Sequence, residues 1–235
     1  MGGHLILKGI NKSYEKNQVL HNFDLAVAPA ERIVLLGKSG IGKTTLLRIV
    51  AGLEAPSSGQ INISAGKIGM VFQEPRLIPW RTVRQNLQFV NPLGDVDSIL
   101  ANLRLKDFAD YYPKQLSGGM QQRVNLGRAL IIDPDLLILD EAFTSLDILV
   151  KMNIISDMMT MWSQKKCTIL AVTHDLKEAL CIADRILIIA GKPGRIKNDF
   201  KVELGNERNF YDPELLHMES QLLQTLQKME EEEIF

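Results

Sequence analysis

Gly37-Lys38-Ser39-Gly40-Ile41-Gly42-Lys43-Thr44-Thr45 decides how the chain is read. An apolar run, Ile33-Val34-Leu35-Leu36, precedes it, and Leu46-Leu47-Arg48-Ile49-Val50 follows. That context is strand, glycine-rich turn, helix, and the pattern G-x-x-x-x-G-K-[ST] inside it predicts a phosphate cradle. Glycines admit turns that aim consecutive N–H groups into one concavity, and the helix start adds unpaired donors with partial positive charge. Lys43 can then reach the outer phosphates as a point charge, and the Thr44 hydroxyl can ligate Mg²⁺. An ordinary glycine turn before a helix needs no such set of letters, which recurs by chance in roughly 1% of chains this long. The stretch predicts a nucleoside triphosphate site.

Composition bounds the rest. At 235 residues and 26.4 kDa, the chain is large for one domain without clearly being two. A 46% hydrophobic content supplies a substantial core, and a net charge of −1 offers no basic footprint for nucleic acid. No apolar run nears the roughly 18–20 residues that span a bilayer. The opening Met1-Gly2-Gly3-His4-Leu5 lacks a basic segment followed by a long apolar one, so no secretory signal is expected. Cys167 and Cys181 are the only cysteines and lack metal-like spacing, which predicts buried thiols in a reducing, cytoplasmic setting.

Upstream of the loop, the apolar runs Leu5–Leu7, Val19–Val27 and Ile33–Leu36 predict a small, largely antiparallel sheet leading into the phosphate-binding strand. Tyr14 sits in the first break, either stacking on a purine base or packing on a surface turn. Downstream, the turn cluster Gly52–Gly59 precedes predicted strands Gln60–Ile63 and Lys67–Phe72. Gln73 ends the second, where a glutamine is solvated, or offers a neutral oxygen to Mg²⁺, or orients a water. From Glu74 to Asp133 the pattern is helical, with helices predicted at Thr82–Val90, Val96–Leu103 and Met120–Ile132. Ser117 is a predicted N-cap before the last, and Gly118-Gly119 leave its first N–H groups accessible. Plain capping explains Ser117 alone; a second anion-ready helix start in a chain that already has one points further.

Leu136-Leu137-Ile138-Leu139 reads as a strand buried on both faces of a parallel sheet, and it ends in Asp140-Glu141. Adjacent carboxylates are poor packing choices there, because desolvating charge is costly. At the carboxyl end of an α/β sheet they face the crevice where ligands sit, suiting Asp140 to Mg²⁺ through water and Glu141 to polarising an attacking water. A further strand, Cys167–Thr173, ends in His174-Asp175, and His174 alone of four histidines directly follows such a strand. Arg185–Ala190 is the last strong strand. Beyond Gly191 the chain turns polar, with a helix predicted from Pro213 to Glu233 and Glu230–Glu233 as its solvated end.

Together these residues resemble the ATP-binding cassette family, the nucleotide-binding subunits of ABC transporters. The likeness runs through Gly37–Thr45 (Walker A), Gln73 (Q-loop), Leu116-Ser117-Gly118-Gly119-Met120-Gln121 (signature), Leu136–Glu141 (Walker B), Ser145-Leu146-Asp147 (D-loop) and His174 (switch histidine), covering about residues 4–200. It implies an α/β P-loop NTPase with a RecA-like parallel core, an N-terminal antiparallel β subdomain and an α-helical subdomain inserted at about 74–133. The cassette would span 4–205, followed by a polar helical tail at 206–235. It implies that Tyr14 stacks on adenine, that Gly37, Lys38, Ser39, Gly40, Ile41, Gly42, Lys43, Thr44 and Thr45 bind nucleotide, and that Thr44, Gln73 and Asp140 attend the metal. Glu141 and His174 would be catalytic. Ser117, Gly118, Gly119 and Gln121 would touch ATP held by a second copy, with Asp147 in dimer communication.

A narrower likeness lies in Gln73-Glu74-Pro75-Arg76-Leu77-Ile78-Pro79-Trp80-Arg81-Thr82-Val83, which looks like the nitrate/sulfonate/taurine importer group. It implies an ATPase of ATP and Mg²⁺, peripheral on the inner face of the cell membrane. Its partners would be permease subunits, a second copy of itself and, indirectly, an external solute-binding protein. Trp80 would either dock the permease or fill the helical subdomain's core. The chain departs from the family at Ala142, where proline is common and alanine is expected to loosen the turn holding Glu141, and at Gly127 before Arg128, where alanine is usual. Its end soon after the cassette leaves no expected room for a regulatory domain. Alternatives are a cassette ATPase without a membrane partner, which usually carries two cassettes or coiled coils, and a P-loop kinase, which would not need the Ser117–Gly119 helix. A GTPase lacks support, since Asn11-Lys12-Ser13-Tyr14 misses the aspartate of a guanine-reading motif.

Overall fold

Three strands are buried at every residue: β3 (Arg32–Leu36), β6 (Leu136–Asp140) and β7 (Thr168–Val172). Continuous apolar runs of this kind suit a parallel sheet covered on both faces. In the computed structural model, which describes residues 2–15 and 17–231, they form the middle of a six-stranded sheet. With β5 (Ile68–Val71), β8 (Arg185–Ala190) and β9 (Arg195–Lys201), its order is β5-β6-β7-β3-β8-β9, and only β9 runs antiparallel. Side chains alternate across it, so Ile33, Leu35, Leu136 and Ile138 join one apolar cluster while Val34, Leu36, Leu137 and Leu139 join another.

The first cluster is roofed by a separate antiparallel sheet of order β2-β1-β4, made of β1 (His4–Tyr14), β2 (Asn17–Val27) and β4 (Ser58–Ser64). Leu5, Leu7, Leu20 and Phe23 from that roof pack against Leu46, Leu47 and Ile49 of helix α1 (Lys43–Val50), which follows the phosphate loop. Helices line the opposite face: α2 (Val83–Val90), α3 (Val96–Asn102), α4 (Gly118–Leu130), α5 (Ile148–Lys165), α6 (Leu176–Ile182) and α7 (Pro213–Glu231). Thr82 caps α2 and forms a capping box with Gln85, and Asp95 caps α3, so both starts lie where the polar-to-apolar switch placed them.

Two features differ from the sequence reading. Beyond Gly191 the polar stretch forms β9, an edge strand alternating exposed and half-buried residues, which carries too few apolar side chains to announce itself. The C-terminal helix is polar on one face only: Leu215, Leu222 and Met229 are buried in the helical-side core. Its predicted solvated end begins with Glu230, whose carboxylate lies 3.8 Å from the Lys38 ammonium. Glu232 and Glu233 lie outside the described residues. No helix among the described residues is long and apolar enough to cross a membrane.

Candidate nucleotide site

Register brings the chemistry together. In the parallel sheet Asp140 pairs with Val172, and β3 lies directly beside β7. The loops leaving β3, β6 and β7 therefore emerge side by side at the carboxyl edge, carrying Gly37–Thr45, Asp140-Glu141 and His174. Around the first of these opens a cavity of about 260 Å³, lined by Val19, Ser39, Gly40, Gly42, Lys43, Thr44, Thr45 and Glu141.

Gly42 is the N-cap of α1 at φ 104°, a backbone state that glycine adopts freely and other residues resist. It makes no side-chain cap, so the first N–H groups of α1 face the cavity without a capping oxygen. The buried Lys43 ammonium donates to the carbonyls of Gly37 at 2.6 Å and Lys38 at 3.0 Å. Burial lowers its pKa, opposed by the charges of Glu141 and Asp140. The Thr44 hydroxyl donates to Asp140 Oδ1 at 2.9 Å, bridging α1 to the end of β6. Burial raises the Asp140 pKa, the Thr44 bond opposes that rise, and the neighbouring Glu141 charge adds to it.

Glu141 has a left-handed backbone, φ 46°, costly for a non-glycine residue and kept only where the surroundings hold it. Its N–H donates to Val172 O at 3.0 Å and its carbonyl accepts from Thr144 N–H at 3.3 Å. The next carbonyl, that of Ala142, accepts from Gln122 Nε2 of α4. These bonds hold the turn with alanine in the position where proline is common. The same Gln122 amide, with Asn125, also holds Phe72 O just before Gln73. The sequence announces neither residue, since polar side chains on a helix after the signature carry no sign of which carbonyl they reach.

His174, Gln73 and Tyr14 do not line that cavity. His174 is exposed, with Nδ1 3.7 Å from Glu141 Oε2. Gln73 is exposed on the bend after β5, the neighbour of β6. The Tyr14 hydroxyl donates to Glu54 at 2.5 Å and its ring lies under Lys12 Nζ at 4.9 Å, an arrangement that fixes an exposed ring at the sheet's end. Val19, which no motif singles out, reaches the cavity from β2, and a Cβ at Gly42 would sit 2.7 Å from its Cγ1.

A second helix start stands apart from the first. Ser117 caps α4, its Oγ accepting from Met120 N–H at 3.3 Å, and Ser117 and Gly118 are exposed. Gln121 donates instead to the carbonyls of Pro113 and Leu116, at 3.2 and 3.3 Å, and so ties down the segment entering α4. Asp147 is the N-cap of α5 without a side-chain cap bond. Trp80 is 76% exposed, which excludes it from the helical core. Gly127 lets Leu87, Ile99 and Leu103 close on α4, and Arg128 donates to Arg76 O at 2.9 Å. A larger cavity of about 490 Å³ lies by α3, α5 and the segment entering β6, with none of the candidate residues in its lining.

A phosphate loop joined through Thr44 and Asp140 to the end of a buried strand, on a covered parallel sheet, defines a P-loop nucleoside triphosphatase. The comparisons narrow that class. A family profile described as ABC transporter matches residues 20–144. An aliphatic sulfonates import ATP-binding protein of Pseudomonas syringae pv. syringae is 41% identical over 93% of this chain and 94% of its own. The aliphatic sulfonates import ATP-binding protein of Bacillus subtilis is 37% identical over 92% of this chain and 90% of its own. The ATP-binding cassette MJ0796, solved as a dimer in a post-hydrolysis state with ADP and Pi, superposes with a TM-score of 0.75 at 27% identity, over 86% of this chain and all of that one. The chain belongs to the ABC transporter family and is an ATP-binding, ATP-hydrolysing subunit of the importer type.

Proposed function

We propose that the chain powers uptake of a small oxyanion, a sulfonate before nitrate, through a separate permease at the inner face of the cell membrane. The observation that carries the ATPase half is the Thr44–Asp140 hydrogen bond, which sets the phosphate loop against the strand end bearing Glu141. The relatives that import aliphatic sulfonates, at 37–41% identity over nearly the whole chain, support the solute class.

Gly37–Thr45 wraps the phosphates with backbone N–H groups, Lys43 turns its ammonium from the loop carbonyls to the outer phosphates, and the Tyr14 ring stacks on adenine. The Thr44 hydroxyl, the Asp140 carboxylate and the Gln73 amide oxygen are hard oxygen donors of the kind Mg²⁺ takes. A Mg²⁺ held by these groups would neutralise phosphate charge. Glu141 holds the attacking water and draws on its proton, and His174 donates toward the γ-phosphate. Two copies stack head to tail, so that the Ser117–Gly119 helix start and Gln121 of one close on ATP held by the other, with Asp147 at their junction. The γ-phosphate charge then bridges two positive helix ends, and its hydrolysis removes the bridge. The exposed Trp80, just beyond Gln73 and beside the half-buried Leu77 and Ile78, presents an apolar side chain suited to a permease helix. An external binding protein would act only through that permease.

A deletion strain tests the reading: it should fail to grow on an aliphatic sulfonate as sole sulfur source, and the unmutated chain should restore growth where Glu141→Gln does not. Unimpaired growth and uptake on sulfonate and on nitrate would overturn the solute class. Loss of growth together with loss of permease co-purification in Trp80→Ala, with the isolated subunit still folded, would support the docking surface.

A further inference from the structure

Behind His174 lies a buried charge cluster to which the proposed mechanism gives no role. Lys151 is 6% exposed, and its ammonium sits 2.7 Å from Asp175 Oδ2 and 3.5 Å from Glu178 Oε2. Glu178 is 2% exposed, and that same Oε2 has no hydrogen-bond partner among the described residues. Buried ion pairs are a poor source of stability, since desolvation consumes most of the attraction and apolar replacements of similar shape are often as stable. Packing alone therefore gives no reason for a lysine at this point of α5.

The backbone on either side supplies one. Lys151 lies in the first turn of α5, and its N–H donates to Asp147 O at 2.9 Å. The position before it, Val150, packs on the start of α4, where a Cβ at Gly119 would lie 2.5 Å from Val150 Cγ1. At the other end of the ion pair, Asp175 caps α6 by accepting from Glu178 N–H at 3.0 Å, and its own N–H donates to the buried Thr173 hydroxyl at 3.1 Å. His174 is thus the exposed apex of a turn whose two flanking residues are fixed, and its ring lies 3.7 Å from Glu141 Oε2. The Lys151–Asp175 bond runs from that turn to the segment carrying Asp147.

We propose that Lys151 is a positioning residue, tying the turn that carries Asp147 to the turn that carries His174, so that engagement of a second copy at Asp147 sets His174 against Glu141. This rests on the roles given above to Asp147, His174 and Glu141. The ammonium acts without touching nucleotide: a displacement of α5 at its N-terminus moves Asp175 and with it the His174 ring.

ATP hydrolysis by the purified full chain, below its melting temperature, tests the proposal. Lys151→Met should lower kcat about tenfold while leaving KM for ATP within about twofold, and Lys151→Arg should recover most of the rate. In a His174→Ala background, Lys151→Met should change the residual rate less than about twofold, because the two act as one unit. Should Lys151→Met fold poorly, Asp175→Asn, which keeps a capping oxygen for Glu178 N–H, takes its place in the same cycle. Losses that multiply when combined with an already impaired His174→Ala would overturn the positioning role alone. An unimpaired His174→Ala would remove the catalytic assignment of His174 and the proposal with it.

Discussion

The two helix starts at Gly42–Thr44 and Ser117–Gly119 share the same local physics and differ in what surrounds them. Both leave unpaired N–H groups and a partial positive charge at a glycine-rich turn. The first is enclosed: Lys43 is buried over it, Thr44 is bonded to Asp140, and Val19 and Glu141 help close a cavity. The second lies open, with a serine cap and an exposed Gly118, and neither Ser117 nor Gly118 lines the phosphate-loop cavity. One helix start is walled by its own chain. The other has the donors without the walls, as the proposed sharing of each site between two copies requires.

The largest effect that sharpens this contrast is at the enclosed site. Glu141→Gln should lower ATP turnover by about 10²–10⁴-fold, the usual worth of a positioned base, while retaining ATP binding and trapping dimer on gel filtration. Turnover at the unmutated rate would remove the base from Glu141. Lys43→Ala should weaken ATP binding by about 10–100-fold in equilibrium titration, for loss of a charged phosphate contact.

The contrast breaks if each chain completes its own site. Lys43→Ala and Ser117→Arg, each in the Glu141→Gln background, should form little ATP-dependent dimer alone. Mixed, they leave one site with Lys43 and Ser117 both intact, so dimer should rise at high protein and low salt. No rise on mixing would mean that the open helix start does not meet the partner's nucleotide.

A smaller effect separates the two glycines of the open start. Gly119→Ala meets Val150 Cγ1 at 2.5 Å, and overpacking of that kind costs about 1–3 kcal/mol, read as a lowered denaturation midpoint. An added Cβ at Gly118 meets nothing within 4 Å, so Gly118→Ala should leave the midpoint intact while weakening ATP-dependent dimerisation. Equal loss of stability in both would make the pair a packing feature only.

The last effect is one of pH and lies away from both starts. Burial pushes Glu178 from its ordinary 4.5 up to about 7, with the Lys151 charge opposing. A folded-state pKa above the unfolded one contributes stability that is fully present below 4.5 and is lost as pH rises through about 7. The Lys151 pKa is raised and that of Asp175 lowered, so their own titrations fall outside this window on the alkaline and acid sides. Glu178→Gln should therefore flatten the fall in melting temperature between pH 5 and 8. An unchanged slope would place the titration elsewhere.

Local chemistry was legible from the residues because it is encoded over short spans. The strand–glycine turn–helix at Ile33–Val50, the buried run ending in Asp140-Glu141 and the Ser117 cap each lie within a few turns of chain, and each stands where expected. Solvent-facing polarity misled at β9 and α7, since an edge strand and a half-covered helix bury too little to show a continuous apolar signal. No pattern of spacing announced that Gln122 reaches the Ala142 carbonyl, that Val19 walls the phosphate cavity, or that Lys151 and Asp175 pair across 24 residues.

By itself, the sequence determined the phosphate loop, the carboxylates at the strand end and the order of the motifs, because turn chemistry and apolar periodicity act between near neighbours. Only the tertiary structure decided that β3, β6 and β7 lie side by side, that Trp80 faces solvent and that one helix start is enclosed while the other is open. Those outcomes depend on strand order and on which distant side chains fill each gap, and such contacts are fixed by the packing of the whole chain.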